Sequence, residues 1–161
     1  MAHRKEESMS EAYDPKVLAF CCQWCSYSGA DLAGSLRLQY PPNIRIILVP
    51  CTGRVDIIHV LQSFEEGADA VFISGCHDGD CHYDTGNYRA KNRVPRIKQI
   101  LKDVGLGTER FEMFQVAASE GNKFAQVATE MTERALKLGP NPVKRQARAN
   151  WEAAQQAGAV A

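Results

Sequence analysis

An open α/β sandwich built on a doubly wound, mainly parallel sheet is the fold this sequence predicts, and three observations predict it. Short runs that are apolar on both faces recur, helical periodicities separate them, and the alternation of strand and helix repeats four times. Residues 17–22, 44–49 and 70–74 are the three runs, and apolarity on both faces suits strands covered by helices on either side. Residues 111–116 are more mixed, which suits a strand at an edge. Val55, Ile58, Leu61 and Phe64 recur at helical spacing before Gly67, and Val94, Ile97, Ile100, Leu101 and Val104 repeat the pattern before Gly105. Ser119 reads as the cap of a long helix with the stripe Phe124, Val127, Met131 and Leu138, ended by Gly139-Pro140. A weaker helix over 31–39 is interrupted by Gly34 and stopped by Tyr40-Pro41-Pro42. Four or five strands are expected, in the flavodoxin-like order 2-1-3-4.

Length and charge narrow the classes of function. With 161 residues, 45% of them apolar, the chain suits one compact core. Nineteen acidic and nineteen basic side chains balance, so no overall pull toward nucleic acid or an anionic membrane is expected. Residues 1–14 are polar and charged, which predicts a flexible tail and no signal peptide. No window approaches the roughly 18 apolar residues of a membrane span, and a cytoplasmic protein is expected. The expected organisation is a tail over 1–14, an α/β domain over 15–140 and an extension over 141–161. That extension carries Lys144, Arg145, Arg148 and Trp151 and is expected to be flexible or held by a partner.

The chemistry is concentrated in the cysteines. Cys21-Cys22-Gln23-Trp24-Cys25, Pro50-Cys51-Thr52-Gly53 and Gly75-Cys76-His77-Asp78-Gly79-Asp80-Cys81-His82 each follow a strand-like run. Ligands of an open parallel sheet bind outside the carboxyl ends of its strands, so three distant segments deliver thiols to one edge. In a reducing compartment such thiols read as metal ligands or redox groups more readily than as disulfides. Thiolates suit iron–sulfur clusters and structural zinc alike. The irregular spacing, on a domain with its own core, favours a cluster with an electron-transfer role over a zinc knuckle.

Around these thiols Gly53, Gly75 and Gly79 are expected to allow close backbone approach and positive φ. His77 and His82 are expected beside the centre as hydrogen-bonding or partner-contacting groups, with ligation the minor alternative. His59 and His3 carry no expected role. Arg89, Lys91, Arg93, Arg96 and Lys98 form a basic run that reads as a solvated helix face or, close to a redox centre, as a docking surface for an acidic partner.

The motif from Phe20 to Tyr27, followed by Gly29-Ala30-Asp31-Leu32-Ala33-Gly34, resembles the opening of the delta subunit of methyl-viologen-reducing hydrogenase. So do Gln39-Tyr40-Pro41-Pro42, Cys51-Thr52-Gly53-Arg54, the segment from Gly75 to Tyr83 with Gly86-Asn87-Tyr88, and Ala118-Ser119-Glu120-Gly121. The resemblance runs from the first strand to Gly139. It departs at Gln23, where asparagine is frequent, at Thr52, where serine is common, and in a longer tail. It implies a [2Fe–2S] subunit of a hetero-oligomeric oxidoreductase complex with no substrate of its own. Such a protein takes electrons from a hydrogenase, through its small subunit, or from a formate dehydrogenase. It passes them to the flavin-containing, electron-bifurcating subunit of heterodisulfide reductase.

A [2Fe–2S] centre takes four cysteines, and six are present. Cys21 and Cys22 point to opposite sides of a strand, which sets Cys21 aside. Cys22, Cys25, Cys76 and Cys81 are the expected ligands, with Cys51 also at the cofactor, either replacing one of them or lying beside it. The competing readings are a zinc-stabilised adaptor and a thiol-redox protein acting through Cys22 and Cys25.

Overall fold

The computed structural model describes residues 13–144 together with 149, 150 and 153. The tail up to residue 12, with His3, and the extension at 145–148, 151, 152 and beyond 153 lie outside the described residues. Four strands and four α-helices alternate among the described residues, β1 (Val17–Cys22), α1 (Ser26–Ser35), β2 (Ile44–Val49), α2 (Ile57–Glu65), β3 (Ala70–Gly75), α3 (Gly86–Asp103), β4 (Phe111–Gln115) and α4 (Gly121–Leu138), and residues 142–144, 149, 150 and 153 are helical as well. Every strand pair is parallel and the order is β2-β1-β3-β4, as the sequence predicts.

Side-chain alternation along the two central strands builds two apolar layers. Val17, Ala19, Cys21, Ala70 and Phe72 pack on one side with Ala33 of α1 and Phe124, Ala128 and Met131 of α4. Phe20, Val71 and Ile73 pack on the other with Val60 and Phe64 of α2, Ile97 and Leu101 of α3, and Phe111. Because both faces are covered, β3 is buried throughout, which accounts for its unbroken apolar run. β2 and β4 form the edges; β4 is only partly buried, in line with its mixed sequence, whereas β2, expected to be covered on both faces, leaves Ile47 and Leu48 exposed at the edge of the sheet.

Helix boundaries depart from the periodicity, each for a local reason. α1 begins at Ser26 and ends at Ser35, so it lies earlier than the expected 31–39. It is closed by Arg37, at φ 55, with Arg37 N–H donating to the Gly34 carbonyl and Leu38 N–H to the Ala33 carbonyl. α2 starts at Ile57 and leaves Val55 in the preceding turn. Asp56 caps it, and His59 Nδ1 accepts the Asp56 N–H at 2.9 Å, which gives this histidine a structural role that the sequence does not announce. α3 begins at Gly86, eight residues before Val94, because its first two turns are mostly polar and Pro95 interrupts the pattern. α4 follows Glu120 rather than Ser119.

The chain past α4 is anchored at its start. Asn141 is fully buried, donates to the Phe64 and Ala68 carbonyls at 2.7 and 2.8 Å, and gives its backbone N–H to Asp69 Oδ1. Buried Arg110 donates to the carbonyls of Leu106, Asp69, Leu138, Gly139 and Pro140. It thereby satisfies backbone oxygens left open where α4 ends.

Candidate metal centre

The sheet order sets the site. The chain leaves β1 toward β2 on one side and returns to β3 on the other, so the crevice opens between the carboxyl ends of β1 and β3. Cys22 is the last residue of β1 and Cys76 follows β3, and their Sγ atoms stand 3.9 Å apart. Cys25, one turn on at the start of α1, brings its Sγ to 3.1 Å from that of Cys76. Cys22, Cys25 and Cys76 have their sulfurs within 4.8 Å of one another, all buried, and form the group among the described residues suited to hold a metal ion.

A second pair adjoins this triad. Cys51, just past β2, and Cys81 in the loop before α3 have their Sγ atoms 3.9 Å apart, both buried. Cys21 faces the other way, into the apolar layer between the sheet and α1 and α4. No disulfide joins any of the six cysteines.

Backbone and side chains converge to hold these thiols. Ser26 Oγ accepts the Cys22 N–H at 3.0 Å and donates to the Ser74 carbonyl, tying the ends of β1 and β3 together. Asn87 donates to the carbonyls of Cys76 and His77 and so fixes the loop after β3. Arg93 donates to the carbonyls of Gly53 and Val55 and clamps the Cys51 turn onto α3. Sequence reasoning gives none of these three such a role, although Ser26 and Asn87 lie inside the motifs that carry the resemblance.

The glycines act mainly through close approach. Of the three named from sequence only Gly79 has positive φ, at 88°. A Cβ on Gly53 would meet the Gly86 backbone at 2.9 Å, and one on Gly75 would meet Thr52 Cγ2 at 2.8 Å. Gly86 has the tightest position: a Cβ there would stand 2.1 Å from Cys51 Sγ and 3.2 Å from Cys81 Sγ.

Electrostatics separate the thiols. Hydrogen bonding from Cys25 pulls the Cys22 thiol down to about 6, against the cost of burial. The same interaction, with desolvation, pushes Cys25 above the ordinary thiol range. Burial works against ionisation of Cys81, yet the N–H groups of Asn87, Tyr83 and Gly86 outweigh it and hold that thiol below its usual value. Burial raises Cys51, partly countered by the Gly53 N–H, which lies 3.4 Å from the sulfur. In the core Cys21 is pushed up to about 12 by desolvation, as suits a thiol that packs as a small apolar group.

Neither loop histidine joins the thiols. His77 Nε2 lies 2.7 Å from Glu120 Oε2, which also accepts the Ala117 N–H at 2.6 Å. The His82 ring stacks on Trp24 at 3.7 Å and 11°, bridging the two cysteine loops over the site. Nothing in the spacing of His77 and Glu120 signals their pairing. The basic run is largely committed internally: Lys91 pairs with Asp78, Lys98 with Glu112, and Arg93 holds the Cys51 turn. Arg89 and Arg54 line a cleft of about 400 Å³ whose wall includes Cys51, Tyr83 and Thr85.

The Ala117 N–H and His77 hold the Glu120 carboxyl below its usual value. Glu120→Gln is therefore expected to cost less than about 1 kcal/mol at neutral pH, since the pair is about one-third exposed. A depressed folded-state value means that the unfolded chain takes up the proton first as pH falls. The contribution is complete above the ordinary value of 4.5 and is lost as pH drops through the folded-state value. Urea unfolding of both proteins checks this: their difference at pH 7 should shrink as the pH is lowered below 4.5.

No helix among the described residues is long and apolar enough to cross a membrane. An all-sulfur donor set at a sheet edge is the chemistry of an iron–sulfur or zinc centre. The family model for the methyl-viologen-reducing hydrogenase delta subunit matches residues 17–139. The vhu iron-sulfur subunit of the F420-non-reducing hydrogenase of Methanocaldococcus jannaschii is 49% identical over 133 residues, covering 83% of this chain and 99% of that protein. The vhc iron-sulfur subunit of the F420-non-reducing hydrogenase of Methanococcus voltae is 47% identical over 136 residues, covering 84% of this chain and 94% of its own length. One subunit of the ferredoxin:CoB-CoM heterodisulfide reductase of Methanosarcina mazei is 41% identical over 126 residues, 78% of this chain and 16% of that protein, so a related module occurs inside a much larger polypeptide. With a family match over most of its length, and with the motif thiols gathered at one sheet edge, this chain belongs to the methyl-viologen-reducing hydrogenase delta subunit family.

Proposed function

We propose that this protein is a [2Fe–2S] electron-transfer subunit, which relays electrons from a hydrogenase or a formate dehydrogenase to the flavin-containing, electron-bifurcating subunit of heterodisulfide reductase. The observation that carries the reading is the meeting of five thiols, Cys22, Cys25, Cys51, Cys76 and Cys81, in two adjoining groups at the sheet edge. The donor set fits the group: four thiolates satisfy a [2Fe–2S] cluster, which supplies one-electron transfer when bound. The chain's own residues supply the rest. The N–H groups of Gly53, Tyr83, Gly86 and Asn87 stabilise thiolate charge at Cys51 and Cys81. The Trp24 and His82 rings cover the edge while half-exposed Trp24 reaches the surface, a place for a partner to dock. The kinship with hydrogenase iron-sulfur subunits supports the donor side, and the related module inside a heterodisulfide reductase polypeptide supports the acceptor side.

One observation favours a second reading. Three sulfurs within 4.8 Å of one another also suit a single tetrahedral ion, as in a zinc-stabilised adaptor. Anaerobic purification with metal and sulfide analysis separates the two. Two irons and two sulfides per chain, with a rhombic spin-half resonance after dithionite reduction, are expected. One zinc and no resonance would replace the electron-transfer reading with the adaptor.

A further inference from the structure

The two thiol groups differ in a way that decides which sulfur is left over. With a metal–sulfur bond of about 2.3 Å and tetrahedral angles, two thiolates on one metal stand about 3.8 Å apart. Thiolates on the two different irons of a [2Fe–2S] rhomb stand farther apart, about 5 Å or more. The Cys22 and Cys76 sulfurs, at 3.9 Å, match the first separation, and so do those of Cys51 and Cys81, also at 3.9 Å. The Cys25 and Cys76 sulfurs, 3.1 Å apart, match neither. Cys25 also lies within 4.8 Å of Cys22, too near both for a place across a second iron. Three sulfurs therefore crowd one metal position that takes two, and the other position has only Cys51 and Cys81 to fill it.

We infer that Cys22 and Cys76 hold one iron, that Cys51 and Cys81 hold the other, and that Cys25 is a fifth, non-ligating thiol in reserve beside Cys76. This rests on the two-iron reading above and differs from the set expected from sequence by exchanging Cys25 for Cys51. It also makes the site asymmetric. On the first iron a lost Cys76 is replaced by Cys25, whose S–H bond gives way to a sulfur–iron bond as the proton passes to solvent. On the second iron Cys51 and Cys81 have no substitute. Cys21, the sixth thiol, is sealed in the apolar layer on the far side of β1.

Serine variants of the full chain, purified anaerobically, test the inference through iron and sulfide content and the resonance of the reduced protein, with circular dichroism to establish folding. C25S is expected to keep wild-type iron and g-values. C76S should keep its iron with g-values shifted little, and the double variant C25S/C76S should lose it. C51S and C81S should each lose most of their iron or show plainly shifted g-values from an oxygen ligand. A folded C25S depleted of iron, or a C51S with wild-type iron and g-values, overturns the pairing. If C25S does not fold, the C51S result decides alone. Zinc in place of iron in the wild type overturns the two-iron reading and the pairing with it, whereas iron in the wild type with depleted C25S overturns the pairing only.

Discussion

Gly86→Ala is expected to empty the metal centre while leaving the α/β fold in place. Alanine in a helix is favoured over glycine by about 1 kcal/mol, so the change should do no harm to α3 as a helix. Its Cβ, however, would stand 2.1 Å from Cys51 Sγ and 3.2 Å from Cys81 Sγ, inside the volume of one sulfur and tight against the other. The Cys51 turn has little room to yield, because Arg93 clamps it and Gly53 leaves no space for even a Cβ against the Gly86 backbone. Loss of most bound metal from the anaerobically purified variant, with unchanged far-ultraviolet circular dichroism, is the expected result. Metal at the wild-type level would show that Cys51 is not held where the site needs it.

Arg110→Met should have the largest effect on the fold itself. The guanidinium serves five main-chain oxygens and binds the end of α4, the start of β4 and the turn before β3 to one another. Methionine fills much of the space but donates nothing, and each buried carbonyl left without a partner costs about 1–3 kcal/mol. A loss of at least about 3 kcal/mol is expected by urea unfolding, with only partial recovery in Arg110→Lys, whose ammonium lacks the planar fork. A change below about 1 kcal/mol would mean that water takes over these carbonyls without penalty.

How much of this is legible in the sequence follows from how local each signal is. Apolar runs such as 70–74 read correctly because burial on both faces of a central strand leaves no other pattern possible. The convergence of thiols follows from where those runs end. The start of α3 does not, because helix α3 opens on side chains chosen for the site: Gly86 for clearance, Asn87 for the Cys76 loop and Arg93 for the Cys51 turn. Residues serving a neighbouring loop break the apolar stripe that marks a helix. His59 escapes notice for a related reason, since a capping contact depends on three residues and leaves no apolar trace. Arg110 and Asn141 gather carbonyls from segments up to 77 residues away, and no window of sequence contains such a partnership. The division of the thiols into a triad and a pair is likewise a matter of ångströms at strand ends, which spacing along the chain does not express.

The parallel register of β1 with β2 and of β1 with β3 has a consequence for assembly. No two adjacent parallel strands can pair until the helix between them has crossed over, so such contacts form late and slowly. Cys22, Cys51 and Cys76 come from three strand ends, and they meet only after both pairings have registered. A metal that needs thiols from all three therefore binds the native chain far better than the unfolded one. By mass action its whole differential affinity becomes resistance to unfolding. The melting temperature of this protein should then climb with metal supply and fall under a chelator, so that thermal stability in a cell reports how well its metal is provided.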